Sequence, residues 1–335
     1  MKILNYLRVR LNMKRSNASL IAIFSLIIVG AGVAEFFTSA KTDSKAENER
    51  TYQDYFNRDY KIYSLNLPQN LSFAGEEVPL QLSDVSEKLD RELHVNTYWQ
   101  SNTLLYLKRS NKWFPVIEPI LKENDVPEDF KYLALIESGL TQVVSPAGAT
   151  GFWQFMEGSG REYGLEINDE VDERYHVEKA TKAACDYLKE AKEKFGTWTL
   201  AAASYNMGQN GLEHQLERQK ASNYYDLLLN TETARYVFRI LAAKEILNHP
   251  GKYGFHFREE HLWEPIKTEI VKVDTSVDDF AAFAKDRGIN YKVLKNLNPW
   301  LRQSYLRNRS GKTYEIKLPQ KSALSKLMLD TNKRG

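Results

Sequence analysis

The sequence lacks the residue patterns that indicate a metal centre, a disulfide framework or a nucleic-acid partner. Its one cysteine, Cys185, excludes a disulfide within the molecule. The 6 histidines are scattered and no HExxH pattern occurs, so metal ligation has little support. The formal net charge is +2, and lysine and arginine are spread along the chain, so no basic patch favours nucleic acid. We therefore expect neither metal nor cofactor nor nucleic acid.

Cys185 lies in a helical pattern directly after two alanines. A small buried hydrophobic side chain is the favoured interpretation, over a nucleophile.

Residues 1–40 combine basic residues with an apolar run. Five lysines and arginines precede the uncharged residues 16–34, which are dominated by Leu, Ile, Val and Ala. The run is nineteen residues long, between a signal-peptide core and a membrane-spanning helix of about 20 residues. We interpret residues 1–40 as a signal peptide or signal anchor that places the remainder outside the cytoplasm, with a buried core helix as the alternative. The only cysteine, Cys185, lies well inside the chain, so no lipid-bearing cysteine directly follows the run.

The rest of the chain divides into three predicted regions. Residues 41–82 are interpreted as a charged tether followed by an irregular arm, because they contain prolines, a glycine and no apolar periodicity. Residues 83–262 predict an all-helical domain, with Ser83 as a candidate cap of its first helix. Helices are expected from Ser83 onward and at 103–108, 113–122, 127–138, 177–194, 197–206, 212–220 and 231–248.

Residues 263–322 have a different residue pattern, with strand-like as well as helix-like segments. "KTEIVKV" and "TYEIKLP" alternate like strands, and "SVDDFAAFAKDRG" and "NYKVLKNLNPW" between them resemble short helices. The pattern predicts a small β-α-α-β module, so the whole protein is expected to be mainly α.

Glu137 follows an apolar stretch that runs from Tyr132 to Ile136. Asp125 is a candidate cap for its helix, Pro127 a candidate first residue and Gly139 a candidate stop, which places Glu137 in the last turn. Its spacing puts the carboxylate on the core-facing stripe. Burial would raise the pKa of that carboxyl and keep a proton available to a leaving oxygen. A solvated face and a structural ion pair remain alternatives.

The segment after Glu137 contains no Asp or Glu between Ser138 and Met156. Glycoside hydrolysis usually needs a second carboxylate, so these residues alone leave the mechanism incomplete. The segment instead offers glycines that let backbone approach a ligand, with Ser145 and Gln154 able to bond hydroxyl or amide groups. It suits a polar, uncharged ligand.

Six ordered motifs carry a resemblance: "YLALIESGL", "SPAGATGFWQFM", "GREYGL", "VDER", "AAASYNMG" and "TETARYVFRILAAKEIL". Together they resemble the membrane-bound murein lytic transglycosylases with a lysozyme-like catalytic domain, over roughly residues 83–257. The resemblance implies that Glu137 is the catalytic acid and then the base, cleaving between N-acetylmuramic acid and N-acetylglucosamine. It also implies that the C6 hydroxyl of the sugar attacks and leaves a 1,6-anhydro ring, so no second carboxylate is required.

The resemblance also implies a set of substrate-binding residues. Met207, Glu157 and Ala234 depart from the usual motifs, which affects substrate contacts and leaves the acid in place. For Tyr205 and Tyr236, helix packing is the alternative interpretation. The implied substrate-binding residues are Ser145, Gln154, Met156, Tyr205, Asn206, Glu232 and Tyr236.

The C-terminal module resembles a degenerate LysM domain, a glycan-binding unit. It has Asp274 and Thr275 where the usual Gly-Asp turn would follow the first strand, and a long segment before its last strand. Glycan binding and packing against the catalytic body are both consistent with this pattern.

The expected function is therefore a peptidoglycan lytic transglycosylase of the periplasmic side of the envelope. Its partners would be glycan strands and, through an uncleaved N-terminal segment, the membrane. A lysozyme-type muramidase and a non-catalytic glycan-binding envelope protein are the alternatives. The sequence does not distinguish cleavage at chain ends from cleavage within strands, and it leaves the oligomeric state open.

Overall fold

The computed structural model describes residues 62–328. The predictions for the signal segment at 1–40 and for the charged tether lie outside this range. Within it no helix is both long enough and apolar enough to cross a bilayer. The α-helices before residue 263 are α1 (Ser83–Tyr98), α2 (Gln100–Glu123), α3 (Lys131–Ser138), α4 (Glu157–Glu162), α5 (Val177–Phe195), α6 (Trp198–Met207), α7 (Gln209–Gln219) and α8 (Thr231–Asn248).

The helical body is organised around α6, which is buried on nearly every side. Its run from Thr199 to Ser204 is inaccessible to solvent, as expected of a helix that is apolar all round. Helix α5 packs on it and buries several small residues, Cys185 among them. Burial raises the pKa of the Cys185 thiol to about 12, so the structural interpretation of this cysteine is confirmed.

Helix α2 is one continuous helix, where the sequence predicted two. Residues 109–112, which lay between the predicted helices at 103–108 and 113–122, are helical, and Ser110 is buried. Pro115 and Pro119 are also inside it, although each removes one backbone hydrogen bond. The buried side chains Leu107, Ile117 and Leu121 hold the helix against the body.

The two predicted helix caps are wrong. Ser83 is the first residue of α1, and the capping position before it is Leu82, which has no side-chain acceptor. Asp125 adopts a positive φ of 56° and makes no cap. A 3-10 turn beginning after Pro127 leads into α3 instead, because the proline fixes φ near −55° and cannot donate a hydrogen bond.

The C-terminal module has the predicted β-α-α-β order. Strand β3 (Thr268–Val273) pairs antiparallel with β4 (Tyr314–Pro319), Val273 lying opposite Tyr314. Helices α9 (Phe280–Asp286) and α10 (Tyr291–Leu297) lie between the strands in sequence, and the short α11 (Leu324–Leu327) follows them. The module has its own core, and the mainly α fold class is confirmed.

The arm before α1 contains a short hairpin that the sequence did not predict. Strands β1 (Ser72–Phe73) and β2 (Glu76–Glu77) pair, and Phe73 is fully buried with its ring 5.1 Å from that of Phe130. The Glu76 carboxylate accepts hydrogen bonds from the backbone N–H of Trp198 at 2.6 Å and of Thr199 at 2.9 Å. The hairpin thereby supplies an anion to the N-terminus of α6, which the helix dipole favours.

Replacing Glu76 with alanine should therefore destabilise the helical body. The free energy of unfolding is expected to fall by about 1–3 kcal/mol, because backbone N–H groups at the start of α6 lose their acceptor. Urea unfolding followed by circular dichroism measures the change. Glu77→Ala is the matched control, since Glu77 is exposed on the same strand; equal stability of the two variants would contradict the capping role.

Candidate active site

Glu137 lies in the last turn of α3, as predicted. The helix ends at Gly139, which adopts the left-handed φ of 61° that glycine tolerates. The residues from Lys131 to Ile136 are buried, whereas Glu137 is partly accessible. The carboxyl group therefore stands at the edge of the core, where a ligand can reach it.

The partner of the carboxyl is a phenol. The hydroxyl of Tyr236, which is almost fully buried on α8, donates a hydrogen bond to Glu137 Oε1. Arg239 lies one turn further along α8, but its guanidinium donates to the backbone oxygen of Ile136 at 2.8 Å. In the described part of the chain Glu137 forms no ion pair, so the structure does not support the structural ion-pair alternative.

The pKa of Glu137 is raised above its usual range. Burial is the largest cause, because it withdraws hydration from the charged form. The hydrogen bond from Tyr236 and the positive charge of Arg239 act in the opposite direction, and the negative charge of Glu232 acts with burial. A carboxyl group in such surroundings can hold a proton and deliver it to a leaving oxygen.

Three other predicted site residues join this cluster. The hydroxyl of Tyr205 donates to the backbone oxygen of Trp153 at 2.8 Å, and the charge of Glu137 contributes to raising the pKa of this tyrosine, after burial. Asn206 donates from Nδ2 to Glu232 at 3.2 Å. The end of α6 and the start of α8 thus meet beside Glu137.

The remaining predicted residues lie on the substrate loop, as we name residues 141–156. Ser145 closes a tight turn by accepting a hydrogen bond on Oγ from the N–H of Ala149 at 3.0 Å. Gln154 donates from its amide to the backbone oxygen of Gly151 at 2.7 Å, and Met156 is 45% exposed. Within the described residues none of the three is hydrogen-bonded to Glu137.

The substrate loop is joined to the helices that carry the acid. Ser138 donates from Oγ to the backbone oxygen of Phe152 at 2.9 Å, and Trp153 is fully buried, with its indole N–H donating to Thr181 at 2.9 Å. The aromatic residues of this loop are therefore mainly core, and its polar and exposed positions are left to face a ligand.

A cavity of 390 Å³ lies between α1, α2, α3 and α8; Ile136, the residue before Glu137, lines it, and Glu137 itself does not. Trp99, which is 59% exposed at the junction of α1 and α2, lines it together with Ile136. Its polar walls are Glu92, Asn96, Glu232, Arg235 and Arg239. Such a mixture of an exposed aromatic ring and hydrogen-bonding groups suits a polar ligand.

Sequence reasoning missed Arg239 and Arg174. Arg239 follows Glu232 and Tyr236 at helical spacing, so the periodicity of α8 could have placed all three on one face. Arg174 belongs to the quoted motif "VDER", but its role depends on contacts distant in sequence. In residues 62–328 no group of three or more His, Cys, Asp or Glu side chains is arranged to hold a metal ion.

Comparison with known proteins places two recognised domains in the chain. Residues 114–228 match the family described as the transglycosylase SLT domain, and residues 269–322 match the soluble lytic transglycosylase C-terminal LysM-like domain. Two curated relatives, from Escherichia coli strain K12 and from a strain of serotype O6:H1, are both named membrane-bound lytic murein transglycosylase D. Each is 27% identical over 270 residues, which cover 75% of this chain and 56% of the relative. The chain thus spans little more than half the length of these relatives.

Removing the phenol hydroxyl should raise the pKa of Glu137 further. Tyr236→Phe deletes a hydrogen bond that favours the charged carboxylate, and the other charges nearby are unchanged. Carbon-13 NMR of labelled glutamate side chains would follow the titration directly. Tyr224→Phe is the matched control, because Tyr224 is a buried phenol that donates instead to the backbone oxygen of Thr233. An unchanged titration of Glu137 in Tyr236→Phe would contradict this account.

Proposed function

We propose that this chain, which carries a transglycosylase SLT domain and a LysM-like domain, is a peptidoglycan lytic transglycosylase with Glu137 as its general acid and base. The observation that carries the proposal is the position of Glu137. It ends an apolar helix, remains partly accessible, has a phenol as its partner and has a raised pKa. The two curated relatives, named for the same activity, support it.

The proposed reaction needs one carboxyl group. Glu137 donates its proton to the oxygen that links C1 of N-acetylmuramic acid to the next N-acetylglucosamine, and the C1–O bond breaks. The C6 hydroxyl of the same N-acetylmuramic acid then attacks C1, and the Glu137 carboxylate takes up the proton of that hydroxyl. The products are a free N-acetylglucosamine hydroxyl and a 1,6-anhydro ring, and no water is consumed.

Substrate would be held from two sides, by the substrate loop and by residues at the end of α6 and the start of α8. Ser145 Oγ already accepts one hydrogen bond, which leaves its proton free to turn toward a sugar hydroxyl, and the amide oxygen of Gln154 is available in the same loop. Met156 offers an exposed apolar contact. Tyr205, Asn206 and Glu232 would face the sugars from the other wall, and Tyr236 would hold the acid in place.

A lysozyme-type hydrolase is the second candidate, favoured by one observation. Glu232 is a carboxylate whose charge reaches Glu137 and raises its pKa. A hydrolase would use such a second carboxylate to activate water or to attack the sugar. Glu232 is exposed and is already hydrogen-bonded to Asn206, which suits substrate contact better than catalysis.

The location proposed for this activity is the periplasmic side of the cell envelope. The basic and apolar N-terminal segment supports it, as do the relatives named as membrane-bound. In this setting the partners are peptidoglycan strands, with the membrane as a second partner if the segment stays attached.

Replacing Glu137 with glutamine should reduce the cleavage of purified peptidoglycan by about 10²–10⁴-fold, because the size of the side chain is kept while its ionisable proton is lost. Release of soluble fragments measures the loss, and circular dichroism checks the fold. Glu123→Gln is the matched control, since Glu123 is exposed at the end of α2. Turnover of Glu137→Gln at the unaltered rate would refute the assignment.

The mass of the released fragments separates the two candidate reactions. Transglycosylation gives ends that are lighter by one water than those of hydrolysis. Under the proposal the fragments carry anhydro ends, and Glu232→Gln weakens substrate binding while turnover at saturation persists. Hydrated, reducing ends, together with loss of turnover in Glu232→Gln, would replace the proposal with the hydrolase.

A further inference from the structure

The C-terminal module docks on residues 165–176 of the helical body, here named the bridging segment. The docking segment of the module is residues 298–312, between α10 and β4. Val171 and Leu301 form an antiparallel bridge and are each 1% exposed. The N–H of Asp172 donates to the backbone oxygen of Trp300 at 2.9 Å, and the N–H of Arg302 donates to that of Glu170 at 2.8 Å. The two segments therefore pair like strands.

The core of the module extends across this junction into the helical body. Val171 and Tyr175 belong to the helical body in sequence, but they pack in the buried cluster of the module. The guanidinium of Arg302 lies 4.0 Å from the centre of the Tyr175 ring, and the ring of His176 lies 5.6 Å from that of Trp300. Cation–π and aromatic contacts of this kind fix the orientation of the partners.

Charged pairs flank the junction. Tyr314 donates to Glu166 at 3.0 Å and Lys312 to Glu166 at 2.9 Å. Lys317 of β4 pairs with Glu178 at the start of α5. Burial opposes the charge of Glu178, but His176 and Lys317 outweigh it and lower the pKa of that carboxyl to about 2. The pair is therefore ionised at neutral pH.

The bridging segment in turn holds the substrate loop through Arg174. Asp172 fixes the guanidinium with hydrogen bonds of 3.0 and 2.8 Å. The same guanidinium donates to the backbone oxygens of Gly148 at 3.2 Å and Phe155 at 3.4 Å. Arg174 thus spans the loop, joining the turn closed by Ser145 to the strand-like end of the loop.

The bridging segment and the substrate loop are closely packed where Gly151 meets the backbone of Arg174. A side-chain carbon at Gly151 would lie 2.0 Å from the backbone oxygen of Arg174, and Gly151 has a φ of +80°. Gln142, at the start of the loop, donates to the backbone oxygen of Tyr175 at 2.8 Å. A displacement of the bridging segment would therefore be transmitted to the substrate loop.

We propose that the C-terminal module is a positioning domain, which fixes the substrate loop by clamping the bridging segment, with Arg174 as the positioning residue between them. The role of the loop in binding substrate rests on the proposed function. The link from the module through the bridging segment to the loop rests only on the contacts above. The module then affects glycan binding from a distance, through the loop, without touching the glycan at the site of cleavage.

The test uses the full chain with a junction variant, Arg302→Ala combined with Lys317→Ala. Its matched control is Arg287→Ala combined with Lys285→Ala, because Arg287 lies over Phe283 within the module and Lys285 is exposed. Hydrogen–deuterium exchange without substrate should become about tenfold faster in residues 143–156 of the junction variant, and stay unchanged in α3 and α8. The control should behave like the unaltered protein.

Cleavage of soluble glycan strands provides the second measurement. The KM of the junction variant should rise about fivefold while kcat stays within about twofold, since Glu137 and Tyr236 are not disturbed. If the proposed activity is wrong, no cleavage is seen in any form, yet the exchange result still decides the mechanical link. A higher KM with unaltered exchange in the loop would show direct glycan contact by the module and overturn the proposal.

Faster exchange in β3 and β4 would reveal that the junction variant unfolds the module. In that case Arg174→Met tests the link to the substrate loop instead. This variant should loosen residues 143–156 and leave both strands protected, and Arg174→Lys should restore part of the protection. Unaltered exchange in the loop of Arg174→Met would overturn the proposal.

Discussion

The candidate site depends on how the Glu137 carboxyl is desolvated while it accepts a hydrogen bond from Tyr236. The apolar length of α3 removes water from one side, and the buried Tyr236 occupies the other. Because Arg239 is tied to the backbone oxygen of Ile136, it lowers the pKa of Glu137 only as a nearby charge. A direct ion pair in its place would have favoured the charged form and left the group poorly suited to act as an acid.

The absence of acidic residues from the substrate loop has a structural counterpart. Besides its buried aromatic residues, the loop contacts the rest of the protein through backbone oxygens, which accept from Arg174, Ser138 and Tyr205. These donors belong to the bridging segment and to helices α3 and α6. The shape of the loop is therefore set by the residues that surround it. An acidic side chain at these positions would compete for the guanidinium of Arg174 and change the turn.

Local patterns in the sequence predicted more of the fold than of the site. The bounds of α8 and the stop of α3 at Gly139 follow from apolar periodicity and from the glycine alone. The continuity of α2 does not, because its polar stretch is stabilised by tertiary packing that a single sequence does not display. The two caps failed because Ser83 lies inside the first turn of α1 and Asp125 lies before the 3-10 turn that leads into α3. The link from Trp300 through Asp172 and Arg174 to the loop joins positions far apart in the chain, so no local signal could have predicted it.

The charges on α8 act on the pKa of Glu137 in addition to burial, which is the largest cause of its shift. Glu232 and Arg239 lie on the same face as Tyr236, and their effects on the pKa of Glu137 have opposite signs. Their fields partly cancel, so hydration becomes the main variable that sets the protonation of the carboxyl. A glycan bound against the accessible edge of the Glu137 carboxyl would shield it further from solvent and disfavour the charged form. Binding of a neutral ligand would thus favour the protonated form of Glu137.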